Sequence, residues 1–376
     1  MAGVWQDTIG KSENFQAMMA DMTPPDHTPA CGPVSHNALP GIDIHCLRPE
    51  EADGVALLMH EVYRDTYPKK YVYDPEQIRK KNAMGEIVPV VATSSEGRVL
   101  GYGAMNPVNA YPETGLLGSL AVLPVFRSHG LGGLILRHLL SCSEGRGFQS
   151  LTGGAFTVHP YSQMALQRLG FHTSAILLGS QPQEISFQGI SGKLGQRESM
   201  AFLTKVISHE EYGLQYLPSN HHRIIQEITT ELGLRIIPGS GERFGHESTV
   251  TEHSINKETG AGIVLIQRVG PDHRVILAGI VRQLRTKGAK SIRLHLSLSD
   301  QGSPALASAA EEMGFIFSGI LPTKDGIILL LQNLHGVPID YEQIHMGNPF
   351  GERLLSYIRS QNPIEETDSR QMIQNN

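Results

Sequence analysis

A short glycine-rich segment, Arg127-Ser-His-Gly-Leu-Gly132, follows an apolar stretch and precedes a stretch of helical periodicity. The apolar residues 116–123 predict a buried strand, and residues 131–143 place their apolar side chains on one helical face. The N-terminus of a helix carries free N–H groups and the positive end of the helix dipole, so it attracts anions. Gly130 and Gly132 bring no side chains that would block a ligand from the backbone. The segment therefore predicts binding of a phosphorylated cofactor.

The elements around this segment alternate between strands and helices, which indicates an α/β fold. Two regions have helical periodicity before the segment, one over residues 50–63 and one after Asp74. Strands are predicted at 42–47, 87–93, 99–105, 150–157, 171–178 and 197–207, with a further helix at 162–169.

Changes in composition divide the chain into five parts. We expect a flexible N-terminal arm at 1–39, a first domain at 40–208, a linker at 209–218, a second domain at 219–335 and a C-terminal extension at 336–376, with its last part disordered. The segment Leu169-Gly-Phe-x-x-Ser174 of the first domain matches Met313-Gly-Phe-x-x-Ser318 of the second. The preceding elements follow in the same order, so the sequence predicts two related domains in tandem.

Charge and cysteine usage limit the kinds of partner. The chain has 376 residues with 31 Lys and Arg against 37 Asp and Glu, a net charge of −6, and no basic stripe. We therefore expect no nucleic acid or membrane partner. The three cysteines show no metal-ligand spacing, so we expect no metal site and a reduced, cytoplasmic setting. No segment looks like a signal peptide or a membrane span.

Three motifs in the first domain occur in the order typical of the GCN5-related N-acetyltransferases, the GNAT family. They are Leu120-Ala-Val-Leu-Pro124 followed by Arg127-x-x-Gly130-x-Gly132, the opening Leu47-Arg-Pro-Glu-Glu-Ala-Asp53, and the helix exit Leu169-Gly-Phe171. The domain resembles this family over about 165 residues. The resemblance implies a GNAT fold, in which helices flank a mixed twisted sheet. It also implies acetyl-CoA as acyl donor and an amine as acceptor.

The resemblance assigns the cofactor-binding residues. Backbone groups of Leu120, Ala121 and Val122 would bind the pantetheine arm, with the Val122 N–H polarising the thioester carbonyl. Backbone amides of the loop would hold the pyrophosphate, and the loop residues are Arg127, Ser128, His129, Gly130, Leu131 and Gly132.

The groups that move protons are less well defined. Family members often carry a base on the strand before the loop, which implies Glu113, with Glu61 as a second candidate. The tyrosine that often protonates the leaving thiolate is replaced by Leu166. Tyr161 and Ser162 lie about one helical turn earlier, and His159 stands where the family often has an asparagine. These three residues are the substitutes.

The second domain resembles the family only in its later half. Its loop, Arg268-Val-Gly-Pro-Asp-His273, lacks the glycine pair. Pro271 removes an N–H, and the Asp272 carboxylate would repel a phosphate. We therefore expect this degenerate domain to bind no CoA.

The sequence thus predicts an N-acetyltransferase that moves an acetyl group directly from acetyl-CoA to an amine in a ternary complex. A covalent acyl-enzyme is disfavoured because Cys46 and Cys142 have no visible activating partner. One alternative is an acyl-CoA-binding regulatory protein without turnover, and another is an N-acyltransferase that uses a longer acyl-CoA. The acceptor is a small-molecule or peptide amine that the sequence does not identify, and the oligomeric state is open.

Overall fold

A computed structural model describes residues 40–185, 194–208, 211–241 and 243–362. All of these residues belong to one compact unit that spans residues 33–376. The predicted N-terminal arm at 1–39 and the predicted disordered tail at 363–376 lie outside the described residues.

The described elements alternate as the sequence predicts. The strands are β1 Ile42–Cys46, β2 Val88–Ser94, β3 Val99–Val108, β4 Tyr111–Val122, β5 Ser150–Phe156, β6 His172–Gln181, β7 Glu198–Val206, β8 Glu211–Gln215, β9 Arg235–Pro238, β10 Val250–Asn256, β11 Ala261–Arg268, β12 Ser291–Ser297, β13 Ile316–Thr323 and β14 Gly326–Asn333. The helices are α1 Ala52–Tyr63, α2 Pro75–Ala83, α3 Leu131–Ser143, α4 Tyr161–Gln167, α5 His222–Glu231, α6 His273–Thr286, α7 Ser303–Glu312 and α8 Pro349–Ser360.

Twelve of these strands form one sheet in the order β1-β2-β3-β4-β5-β7-β6-β13-β14-β12-β11-β10. Within its first half, β4 and β5 are parallel and every other neighbouring pair is antiparallel. This half of the sheet is mixed and has helices beside it, as the sequence predicts.

The pairing of β4 with β5 stops halfway along β4. The last paired residues are Leu117 and Gly153, although β4 continues to Val122. On its other side β4 has a bulge at Ser119, which has a φ of 54°. The two parallel strands therefore separate, and this separation creates the space in which a ligand can reach the backbone of β4.

Helix α3 packs closely against the sheet beside this gap. Its buried face carries Leu131, Ile135 and Leu139, each at most 1% exposed. A Cβ on Gly101 or Gly103 of β3 would lie 2.6 or 2.9 Å from the Ile135 side chain. These glycines let the helix approach the strand, and this fixes the position of the helix N-terminus.

The second half of the sheet repeats the connectivity of the first. In the second half, successive neighbours in the order β10, β11, β12, β14, β13 pair antiparallel, parallel, antiparallel and antiparallel. In the first half, successive neighbours in the order β3, β4, β5, β7, β6 pair in the same way. The halves meet where Ala175 of β6 pairs with Gly319 of β13. These two residues occupy equivalent places in the repeated segments, and each lies next to a bulge.

Two regions contain more structure than the sequence suggested. Strand β8 lies within the predicted linker at 209–218 and pairs in parallel with β9. Tyr212 of β8 is buried and its hydroxyl donates to the Thr323 carbonyl at 2.8 Å, which anchors the segment. The C-terminal extension contains α8, which packs against β6 and β13. Among the described residues, no helix combines the length and apolar character that crossing a membrane requires.

Candidate functional site

A cavity of about 850 Å³ lies where the end of β4, the N-terminus of α3 and helix α4 meet. It is lined by all nine residues that the sequence predicts for cofactor binding, namely Leu120, Ala121, Val122, Arg127, Ser128, His129, Gly130, Leu131 and Gly132. His159, Tyr161 and Ser162 also line it. The fold thus brings the predicted loop and the predicted proton-transfer residues to one cavity.

One side of β4 presents backbone groups to this cavity. The Leu123 N–H donates to the Leu100 carbonyl of β3, so the backbone groups of Leu120 and Val122 point away from β3. The Leu120 carbonyl accepts from the Tyr63 hydroxyl at 2.9 Å, and the Val122 carbonyl accepts from Arg127 Nε at 3.2 Å. The N–H groups of Leu120 and Val122 share this open side, where a thioester carbonyl can reach them.

The N-terminus of α3 supplies donors for an anion. Its N-cap is Gly130, with a φ of 81° and no side-chain cap. The helical hydrogen bonds begin at the Leu134 N–H, which donates to the Gly130 carbonyl at 3.1 Å. The preceding amides of the first turn are therefore free of helix partners. A Cβ on Gly130 or Gly133 would meet nothing within 4 Å, so there is room for a phosphate.

Three arginines line the same cavity, of which the sequence analysis named only Arg127. Burial lowers the pKa of the Arg127 guanidinium. Arg137 follows Gly130 by two helical turns, so the i, i+7 spacing was a signal that could have identified it. Arg168 lies at the end of α4 and had no such signal. Phosphate oxygens in the cavity would meet these side chains.

The candidate proton-transfer residues lie together beside α4. The rings of His159 and Tyr161 stack with centroids 5.1 Å apart, and Tyr161 is 65% exposed. Burial, the positive charge of Arg127 and the neighbouring His345 lower the pKa of His159 to about 4. The imidazole is therefore neutral at pH 7, so it has no imidazolium proton to donate there.

Two buried side chains hold the chain in place near His159 and α4, and the sequence analysis did not identify them. Gln163 donates from Nε2 to the His345 carbonyl at 2.8 Å and accepts from the Gly347 N–H at 2.9 Å. Glu198 accepts from the backbone N–H groups of Thr157 and Val158 at 2.6 and 2.9 Å, and burial raises its pKa. Both contacts join distant segments, so neither has a local sequence signal.

The candidate bases Glu113 and Glu61 do not line the cavity. Glu113 accepts from the backbone N–H of Lys324 at 3.2 Å and precedes Leu120 by seven residues of strand, roughly 23 Å. Glu61 is exposed and lies 3.4 Å from Arg98. The structure therefore places these carboxylates apart from the groups that would hold the acetyl donor.

The cysteines of the first domain lie at the other end of α3. Cys46 Sγ is 3.6 Å from Cys142 Sγ, and with His138 they place three possible metal-ligand atoms within 4.8 Å of one another. Cys46 lies far from His138 and Cys142 in the sequence, so the spacing of these residues gave no sign of the group. Burial raises the pKa of the Cys46 thiol, with Arg146 acting in the opposite direction. Cys142 follows Gly130 by 12 residues, about 18 Å of helix, so this group is far from the phosphate-binding end.

The corresponding loop of the second half is filled by the chain itself. The Gly270 N–H donates to Thr249 Oγ1 at 2.9 Å, and the Val269 N–H donates to Asp300 Oδ2 at 2.8 Å. Asp272 accepts from the Thr249 N–H at 2.7 Å. A Cβ on Gly270 would lie 2.3 Å from the Glu247 carbonyl oxygen. The space that a phosphate would occupy is taken by backbone.

Solved structures that are similar to part of this chain include three acetyltransferases. The chain has 18% identity to an N-acetyltransferase from Staphylococcus aureus Mu50 (TM-score 0.37), covering 44% of this chain and 99% of the other. It has 18% identity to the ribosomal-protein-S18-alanine N-acetyltransferase from Escherichia coli (TM-score 0.35; 45% and 96% covered). It has 16% identity to yncA from Salmonella typhimurium, solved with acetyl-CoA (TM-score 0.37; 45% and 95% covered).

A search of curated proteins finds no match. Among protein families, the model of the acetyltransferase (GNAT) family matches residues 55–171, which include the open side of β4, the glycine loop and α4. The chain therefore contains a GNAT acetyltransferase domain at residues 55–171.

Proposed function

We propose that the protein is an acyl-CoA:amine N-acetyltransferase that uses acetyl-CoA as the acyl donor. The observation that carries this proposal is the continuity of one cavity from the open side of β4 to the uncapped N-terminus of α3. The two ends of this cavity match the two ends of acetyl-CoA, a thioester that needs N–H donors and a pyrophosphate that needs an anion site.

The acetyl group moves in one direct transfer. The acceptor nitrogen forms a bond to the thioester carbon and the carbon–sulfur bond breaks. The nitrogen gives one proton to water and the thiolate takes one, so the net number of protons is unchanged. The Val122 N–H stabilises the negative charge that develops on the carbonyl oxygen. Tyr161 or Ser162 supplies the proton to the thiolate, because the depressed pKa of His159 leaves that imidazole without a proton to give at pH 7.

The second half of the chain serves as a degenerate GNAT-like domain without a CoA site. Support comes from the shared strand connectivity and from the backbone of Glu247 and Thr249, which fills the loop region. This domain and the C-terminal extension support the first domain through contacts such as that of Gln163 with His345. We expect one acetyl-CoA per chain.

Thermal unfolding with acetyl-CoA tests the placement of the donor. A ligand at 100 times its dissociation constant adds about 2.7 kcal/mol to the free energy of unfolding. Gly133 has no positive φ, and a Cβ there would contact nothing within 4 Å, so Gly133→Glu should not strain the fold. Its carboxylate at the α3 N-terminus repels the pyrophosphate, and acetyl-CoA should no longer stabilise the variant. Gly279→Glu is the matched control, because Gly279 is also helical and also has nothing within 4 Å of its Cβ position.

A regulatory protein that binds acyl-CoA without turnover is the second candidate. It is favoured by Leu166, which stands at the usual tyrosine position and is only 3% exposed in the core beneath α4. Release of free thiol from acetyl-CoA in the presence of amines distinguishes the two. Acetyl-CoA binding without thiol release from any amine would establish the regulatory alternative.

A further inference from the structure

A tyrosine-rich wall faces the bulge of β4 on the side away from the glycine loop. We define this wall as Tyr63, Tyr67, Tyr71 and Tyr73 from the segment at the end of α1, together with Tyr102 of β3. The rings of Tyr63 and Tyr67 lie 4.8 Å apart, and the Tyr67 hydroxyl donates to Ser119 Oγ at 3.3 Å. The wall therefore begins where Tyr63 meets the Leu120 carbonyl and extends along β4 toward Gly118.

The hydroxyls of this wall remain protonated donors. Burial raises the pKa of both Tyr67 and Tyr73 to about 12. The Tyr102 side chain is fully buried, and its hydroxyl is hydrogen-bonded to that of Tyr71. The wall thus combines apolar ring surfaces with polar O–H groups and lacks a carboxylate of its own.

One cation, Lys69, lies within the wall. Its Nζ would be 3.8 Å from a Cβ on Gly118, so the ammonium lies against the β4 backbone at that residue. Lys69 is half-buried, and burial lowers its pKa. Its ammonium forms no ion pair within residues 40–185, 194–208, 211–241 and 243–362.

Two acidic residues at the end of α1 already have partners. Asp65 lies 3.0 Å from His60, and Glu61 lies 3.4 Å from Arg98. A cation that has lost part of its hydration is stabilised by a nearby anion. A polyamine would instead meet a like charge and no carboxylate at this place.

We propose that the acetyl acceptor is an amine that also carries a carboxylate, of the amino-acid class, and that Lys69 binds this carboxylate. This inference rests on the proposed acetyltransferase function. Gly118 and Leu120 are two residues apart on β4, about 7 Å. A small amino acid held by its carboxylate beside Gly118 therefore places its amine toward the acetyl group near Leu120 and Val122.

Thiol release from acetyl-CoA by matched acceptor pairs tests this proposal in the full chain. The pairs are the standard L-amino acids and their carboxamides, which retain the amine but lose the negative charge, with spermidine as a cationic probe. We expect kcat/KM for the preferred amino acid to exceed that for its carboxamide at least tenfold. Lys69→Met removes this preference by raising KM for the amino acid more than KM for its carboxamide.

Lys70→Met is the matched control, because Lys70 is the next residue, is exposed, and donates to the Asp65 carbonyl. Lys70→Met should keep the higher kcat/KM for the amino acid than for its carboxamide. Three results would overturn the inference: turnover of carboxamides or spermidine equal to that of the amino acids, an equal fall in kcat for both members of a pair in Lys69→Met, or turnover of none of the amino acids. Failure of acetyl-CoA to bind or to release thiol with any amine would instead reject the proposed function itself.

Discussion

The Tyr63 hydroxyl donates a 2.9 Å hydrogen bond to the Leu120 carbonyl and so connects α1 to the unpaired part of β4. This bond holds the strand residues that present N–H groups to the cavity. Tyr63→Phe should lower the free energy of unfolding by about 1 kcal/mol. It should also reduce kcat/KM for acetyl transfer roughly fivefold, since the donors lose their alignment.

Chemical unfolding and steady-state thiol release measure both effects of Tyr63→Phe. Tyr216→Phe is the control, because the Tyr216 hydroxyl forms no hydrogen bond within the described part of the chain. Equal kinetics for the two variants would show that the Tyr63 hydroxyl does not align β4.

Gln163→Ala should weaken the attachment of α4 to the C-terminal extension. Both ends of the buried amide are hydrogen-bonded, to the His345 carbonyl and the Gly347 N–H. Removing it leaves two part-buried backbone groups without this partner, which costs about 1–3 kcal/mol of unfolding free energy. Denaturant titration measures this loss, and the exposed Gln361→Ala should stay within 0.5 kcal/mol, roughly, of the parent. A similar small change in Gln163→Ala would contradict the structural role.

The low pKa of His159 leads us to expect a specific dependence of stability on pH. Its pKa is about 4 in the folded chain against an ordinary value of 6.5, so the unfolded state binds more protons between these values. Stability is therefore full above pH 6.5 and falls as the pH drops toward 4, by up to roughly 3 kcal/mol from this residue. His159→Gln should flatten this part of the curve in unfolding experiments from pH 4 to 8. The exposed His222→Gln should leave it unchanged, and an unchanged slope in His159→Gln would refute the assignment.

Gly319→Ala should damage the junction between the halves of the sheet. Gly319 has a φ of 135°, and an added Cβ would lie 2.3 Å from the Ser174 carbonyl oxygen. The contact is with backbone, so no side chain can move to relieve it, and we expect a loss of about 3 kcal/mol or more. Gly213→Ala in β8 is the control because its Cβ meets nothing within 4 Å. Calorimetry compares the two, and equal melting temperatures would exclude a tight junction.

The sequence predicted the parts of the site that are local along the chain. The strand before Arg127, the glycine loop and α3 follow one another, so periodicity and glycine positions were enough to place them. The resemblance to the GNAT family pointed to His159, Tyr161 and Ser162 as substitutes for the missing tyrosine, and the structure places all three beside the cavity.

The parts that the sequence did not predict depend on contacts between distant segments. Gln163 meets His345 across 182 residues, and Cys46 meets Cys142 across 96. The low pKa of His159 arises from burial and from nearby charges, which exist only in the folded chain. The free N–H groups at α3 and the filled loop near Gly270 likewise follow from packing as well as from residue type.

The pairing of Ala175 with Gly319 has a consequence for any attempt to divide the protein. Separating the halves would turn β6 and β13 into exposed edge strands, and both are rich in buried apolar residues. Unpaired edges of this kind template intermolecular sheets and aggregation. Each half therefore covers the edge strand of the other, and we expect either half to aggregate when it is expressed without the other.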